Sequence, residues 1–143
     1  IQMAISYIKK KRAIYSHGNR RDAYVARIKY TGHIDGDTIA EDVSMATTAS
    51  ESEVGMYIKE LEKVIAKYLV EGYVVKLDNL GSFSPAFDAN VVDSPDEVTH
   101  MTIKRKKIIF TPSKKLQKAM NEASLKLADK RVAKAIVRKK KNL

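Results

Sequence analysis

Between Ser50 and Gly72 the chain is committed to a helix. Ser50-Glu51-Ser52-Glu53 has the form of a capping box, in which the serine hydroxyl takes up a helix-start amide and Glu53 reaches back. Val54, Ile58, Leu61, Ile65 and Leu69 then recur at three- and four-residue intervals, which puts them along one face. Gly72 supplies the stop. The pattern predicts a helix over 51–71, about five turns long. Its apolar stripe has to be covered, as core or as a dimer seam, and it presents more apolar surface than one chain of this size can cover. Tyr57 and Tyr68 are read as packing residues of the same helix, and no cofactor is needed to explain the stripe.

The flanking segments supply strands. Ala23-Tyr24-Val25-Ala26-Arg27-Ile28-Lys29-Tyr30 alternates and is rich in β-formers, with turn residues Ser16-His17-Gly18-Asn19 before it and Thr31-Gly32 after it. Residues 3–34 therefore read as two short strands around a loop. A first helix follows, with Asp35 and Asp37 at its start and Ile39, Val43 and Ala46 as its apolar positions. Past Gly72, Tyr73-Val74-Val75-Lys76-Leu77 and residues 81–87 read as strands joined by Asp78-Asn79-Leu80. Residues 88–100 are polar, contain Pro95 and read as a loop. Residues 101–110 form a third strand, ended by Thr111-Pro112. Ser113 caps a last helix with Leu116, Met120, Ala123 and Leu127 as apolar positions. The order is that of an α+β protein with a small antiparallel sheet. It divides into an N-terminal extension (1–34), a central domain (35–128) and a basic tail (129–143), with no repeat and no linker.

Charge is distributed unevenly over these parts. Residues 1–34 carry eight basic and one acidic side chain, residues 35–102 four and 14, and residues 103–143 fifteen and two, for a net charge of +10. Clustered Lys and Arg neutralise phosphates and release counterions, so basic ends around an acidic middle point to a nucleic-acid partner. A membrane surface is the poorer polyanion here, because the basic segments carry few large apolar anchors. With no cysteine, disulfides and thiolate metal sites are excluded; this is compatible with a reducing cytosol. His17, His33 and His100 lack metal-ligand spacing, and Asp93, Asp96 and Glu97 lack the ordered oxygens of a calcium loop, so no metal is expected. No nucleophile elbow, P-loop or dinucleotide fingerprint occurs, and the reading is of a non-enzyme without cofactor or small-molecule substrate. Met3 is taken as the natural start, with no secretory signal and no membrane-spanning run behind it.

Two motifs add a family resemblance. Lys76-Leu77-Asp78-Asn79-Leu80-Gly81-Ser82-Phe83 is a strand, a tight turn ending in glycine, then an aromatic. Ile109-Phe110-Thr111-Pro112-Ser113-Lys114-Lys115-Leu116 passes from strand to helix through Pro-Ser with paired lysines. About 26 residues separate them. Preceded by two helices, they resemble the core of the bacterial histone-like HU and integration host factor family over roughly residues 34–127. The extension and tail are similar to those of a longer HU-related group. The resemblance implies the histone-like fold: a helical base and a three-stranded antiparallel sheet with a β-arm, about 84–108, plus extra N-terminal strands. It also implies a cytoplasmic, nucleoid-associated homodimer that binds and bends or compacts double-stranded DNA with low sequence preference.

Mapped onto this chain, the expected DNA contacts are Lys76, Lys104, Arg105, Lys106, Lys107, Ser113, Lys114, Lys115, Lys118, Arg138, Lys139 and Lys140. The expected dimer core is Val54, Ile58, Leu61, Ile65, Leu69, Phe83 and Phe110. Lys104–Lys107 on a strand would place basic side chains on both faces, and Ser113, Lys114 and Lys115 open a helix where free amides favour phosphate. Pro95 occupies the place of the family's arm-tip wedge. Its neighbours depart from the family's basic Arg-x-Gly-x-Asn-Pro signature: Val92-Asp93-Ser94-Pro95-Asp96-Glu97 is acidic and repels phosphate. Each signal has a plainer reading beside it. Lys104–Lys107 suits a solvated edge strand, Arg138–Lys141 and Lys9–Arg12 suit solubilising charge, and Pro95 suits a loop breaker. A protein-interaction or scaffold module on the same fold, or an RNA-associated protein, would also fit the charge pattern.

Overall fold

A computed structural model gives the structure of the protein and describes residues 4–128. Among the described residues three α-helices and two three-stranded sheets make a mixed α+β fold. The described residues divide into two compact units, one over Ile34–Asn121 and one formed by residues 4–33 with 122–128.

In the Ile34–Asn121 unit, α1 (Gly36–Ala46) and α2 (Glu51–Val70) pack together. Both start as the sequence suggests. The Asp35 carboxylate accepts the Thr38 amide at 2.9 Å and the Thr38 hydroxyl at 2.8 Å. At α2 the Ser50 hydroxyl accepts the Glu53 amide at 3.3 Å while Glu53 accepts the Ser50 amide at 2.8 Å, closing the capping box. Bonds from these amides and hydroxyls favour the ionised carboxylates. The Thr38 amide foremost holds Asp35, and the Ser50 amide foremost holds Glu53, below the usual carboxylate range. Gly72, at φ +89°, turns the chain out of α2, its amide bonding to the Leu69 carbonyl.

The sheet of this unit runs β3 (Val75–Leu77), β4 (Gly81–Ala89), β5 (Ile103–Pro112), all antiparallel neighbours, with α2 against β3 and β4. Val75, Phe83 and Phe110 stand in one row, and the two phenylalanine rings lie 5.0 Å apart. Gly81 is buried at φ +147°, where a Cβ would meet the Thr111 carbonyl oxygen and the Phe110 ring. The glycine of the first motif is thus demanded twice, by its dihedral and by the strand packed over it. The polar segment after β4 is shorter than expected. Pairing continues to Ala89 opposite Ile103, and the connection holds two short 3-10 turns, Pro95–Glu97 and His100–Thr102.

The core is small. Among the described residues Ala40, Val54 and Leu69 are the buried apolar side chains, all on α1 and α2. Ile58 and Ile65 are half-buried beside them, whereas Leu61, assigned to the same stripe, stays 44% exposed. The reason is angular: Leu61 lies at the border of a second stripe with Tyr57 (63% exposed), Val64 (47%) and Tyr68 (42%). Tyr68 meets the Tyr73 ring edge-on at 5.8 Å. One face of α2 is covered by its own chain and the adjacent one is not.

In the other unit, β1 (Ala4–Ser16) and β2 (Asn19–Lys29) form an antiparallel hairpin, longer than two short strands. His17 (φ +50°) and Gly18 (φ +81°) both take positive φ, the two-residue turn that matches strand twist. The last helix, α3 (Lys114–Glu122), ends before the expected Leu127. Ser124–Leu127 instead forms β6, parallel to β1, with Ala4 opposite Ser124 and Tyr7 opposite Leu127. Leu127 matches a helical stripe read from Leu116, but with Leu125 it also alternates with Ser124 and Lys126. The open edge of β1 decides between the two periods by supplying backbone hydrogen-bond partners.

Candidate nucleic-acid interface

The expected basic residues of the sheet all lie on β3 and β5. Without irregularity, Lys104 and Lys106 would face one way and Arg105 and Lys107 the other. A bulge changes this. Phe87 pairs with Lys106 and Asp88 with Lys104, leaving Arg105 as the extra residue, at φ +37°. Arg105 and Lys107 both reach Asp88, at 3.1 and 2.8 Å, and Lys104 is its cross-strand neighbour. Three cations therefore gather on the Asp88 face, and Lys106 goes to the face of Phe87. Lys76, opposite Ser82, lies on the same alternation as Lys107 and extends the basic face onto β3. The expected distribution over both faces becomes three against one.

Positive φ at an arginine is unfavourable, and the two ion pairs with Asp88 are local contacts that oppose the cost. Both are solvent-exposed, so each contributes about 0–1 kcal/mol. Asp88 was not among the expected site residues. Its place opposite the basic run could be read by folding the two motifs into a hairpin. The bulge could not, since nothing at Arg105 resembles the glycine or asparagine that tolerates that conformation.

The step into α3 is fastened by Ser113. Its hydroxyl accepts the Leu116 amide at 3.1 Å and donates to the Asn79 carbonyl at 3.0 Å, while its own amide donates to the Leu80 carbonyl at 3.0 Å. The serine thereby joins the two motifs and positions the helix start; its hydroxyl proton is engaged within the chain. Lys114 and Lys118, one turn apart, line an open hollow of about 480 Å³ with Ser113 and Gln117, and Lys115 is exposed on the same helix. Pro95 is exposed and opens a 3-10 turn, and the Glu97 carboxylate accepts the Asp93 amide at 3.2 Å. Arg138, Lys139 and Lys140 lie outside the described residues. No group of His, Asp and Glu fit to hold a metal occurs among the described residues, and no helix there is long and apolar enough to cross a membrane.

The arrangement matches a family description over nearly its whole length. The family of the HU domain fused to wHTH, Ig, or glycine-rich motif (HU-HIG) matches residues 3–127. The chain belongs to the HU-HIG family. Its match covers the N-terminal hairpin and β6 as well as the segment with the two motifs. This HU-HIG chain is also similar in fold to a crystal structure from Bacteroides vulgatus, described as a proposed bacterial DNA-binding protein. That similarity has a TM-score of 0.61 at 15% sequence identity over 87% of this chain, which spans about half (48%) of that one. No curated protein matches the sequence.

Proposed function

We propose that this HU-HIG chain is an architectural protein that binds double-stranded DNA as a homodimer, bending or compacting it with little sequence preference. The observation that carries the reading is the bulge at Arg105, which gathers Lys104, Arg105 and Lys107 on one face with Lys76. Cations that share a strand face can follow a phosphate backbone, whereas cations split between faces cannot all do so. Lys114, Lys115 and Lys118 extend the contact along the first turns of α3, where Ser113 holds the helix start. On this reading affinity rests on charge and DNA deformability, with phosphate contacts in place of base-edge readout. The description of the Bacteroides vulgatus neighbour agrees with a DNA partner. A nucleoid location in the cytoplasm follows from that partner.

The homodimer is supported by the uncovered stripe Tyr57, Leu61, Val64 and Tyr68 on α2, with Ile39 and Val43 of α1 also exposed. A chain with three buried apolar side chains among its described residues gains a core by sharing these surfaces with a second copy. Light scattering should give the dimer mass at micromolar concentration. Titration of labelled duplex, single-stranded DNA and structured RNA across a salt series should show duplex preference and a steep salt slope. A folded monomer would refute the assembly. Failure to bind duplex below micromolar concentration would refute the function and leave a protein-interaction module, and preference for RNA would replace the partner.

A further inference from the structure

The N-terminal hairpin sorts its charges by face. On one face of β1 and β2 the paired rows are Ser6 with Lys29, Ile8 with Arg27, Lys10 with Val25, Arg12 with Ala23, and Ile14 with Arg21. Each of these five consecutive rows contains one basic residue, and its partner is apolar or a serine. Rows on one face lie about 6.6–6.8 Å apart. The single file of cations therefore runs for about 26 Å, crossing from β2 to β1 and back. Lys126 of β6, in register with Ser6, adds a sixth cation to the Lys29 row. Among the described residues the face has no carboxylate. The acidic residue of the hairpin, Asp22, lies on the opposite face, where Lys11 and Arg20 pair with it at 2.9 and 3.7 Å. Among the described residues, Lys10, Arg12, Arg21 and Arg27 form no ion pair and are exposed.

From this we infer that the Lys10/Arg12/Arg21/Arg27/Lys29 face of the hairpin is a second duplex-DNA contact surface, separate from the β3–β5 site, which grips the phosphate backbone. The choice of duplex DNA rests on the reading proposed above; the surface itself rests on the strand register. Like charges along one sheet face repel and lower its stability. A polyanion removes that cost, and the row spacing is close to two base-pair steps along one strand of a duplex, about 6.8 Å. On the opposite face Asp22 pairs with Lys11 and Arg20 and offsets part of their charge.

Lys9 to Arg12 supplies its own control, because neighbouring residues of one run point to opposite faces. In the full chain, Lys10→Gln/Arg12→Gln and Lys9→Gln/Lys11→Gln remove the same charge from the same strand. Titrating a labelled random-sequence duplex from 0.05 to 0.3 M salt (about these concentrations) compares them with Lys104→Gln/Lys107→Gln. The Lys10/Arg12 variant should flatten the log–log salt slope by about 1.8 per chain and weaken binding about thirtyfold near 0.15 M, if both contacts are lost. The Lys9/Lys11 variant should stay within about twofold of the parent. Equal losses from the two hairpin variants would overturn the inference by showing a generic charge effect. Parental binding by the Lys10/Arg12 variant, with loss in the Lys104/Lys107 variant, would overturn it and leave the proposed function standing. No duplex binding by the parent would overturn both. Should the variant unfold, lysine acetylation of the parent chain decides: duplex should protect Lys10 and spare Lys9 and Lys11, and equal protection of all three refutes the surface.

Discussion

If the β3–β5 face binds phosphate as proposed, Asp88 should make it weaker than its lysines and arginine suggest. In the free protein it accepts Arg105 at 3.1 Å and Lys107 at 2.8 Å, so a phosphate must compete with a carboxylate already in place. Asp88→Asn keeps the size and removes the competitor. The Arg105 side chain is 84% exposed and the Asp88 side chain 38%, so solvent screens the pairs and their loss should cost at most about 1 kcal/mol each in stability. Each freed cation that then engages a phosphate steepens the salt slope by about 0.9, which near 0.15 M corresponds to about fivefold tighter binding. With one or two cations freed, affinity for any duplex should rise about 5- to 30-fold per chain, equally across sequences. Fluorescence anisotropy on two unrelated duplexes over a salt series measures both slope and sequence dependence. Unchanged or weaker binding with an unchanged slope would refute the reasoning, because Asp88 would then serve to hold the bulge in the conformation DNA needs. Asp22→Asn, which frees cations on the Asp22 face of the hairpin, is the control and should leave the slope unchanged.

Gly81→Ala forces a side chain into φ +147° and onto Phe110 and Thr111; it should destabilise by about 1–3 kcal/mol from the backbone alone, read as a lower urea midpoint at an unchanged m-value. Glu53 is held below its ordinary pKa by the Ser50 amide, so its stabilising effect is complete above about pH 4.5 and is lost as pH falls through the lower folded-state value. Glu53→Gln keeps the cap without the titration, and its urea midpoint should fall less than the parent's between pH 6 and pH 3 (about these values). Pro95 opens a 3-10 turn among Asp93, Asp96 and Glu97; Pro95→Ala should leave duplex bending by end-to-end energy transfer unchanged, whereas neutralising the three acids should tighten binding. Abolished bending in the proline variant would make the tip a working wedge.

Features set within three or four residues were legible in the sequence. The capping box at Ser50 and Glu53, the Asp35 cap, the Gly72 stop and the His17-Gly18 turn all form between near neighbours, and each stands where its residues predict. The two motifs likewise lie on adjacent strands, joined through Ser113 and Asn79. The same local rules could not decide between competing partners. Leu127 fitted a helical stripe, but the free edge of β1, more than 100 residues away in sequence, drew it into a parallel strand. The four basic residues 104–107 looked evenly divided, until a one-residue slip against Phe87 and Asp88 turned three of them to one face. Val54, Leu61 and Leu69 share one expected stripe, yet Val54 and Leu69 are buried within the chain and Leu61 is exposed, because what lies over a helix face depends on which elements pack there. A cap's bonds are fixed by the chain that carries them. A strand's face, edge and register are fixed by a neighbour, so only the tertiary structure decides where those charges point.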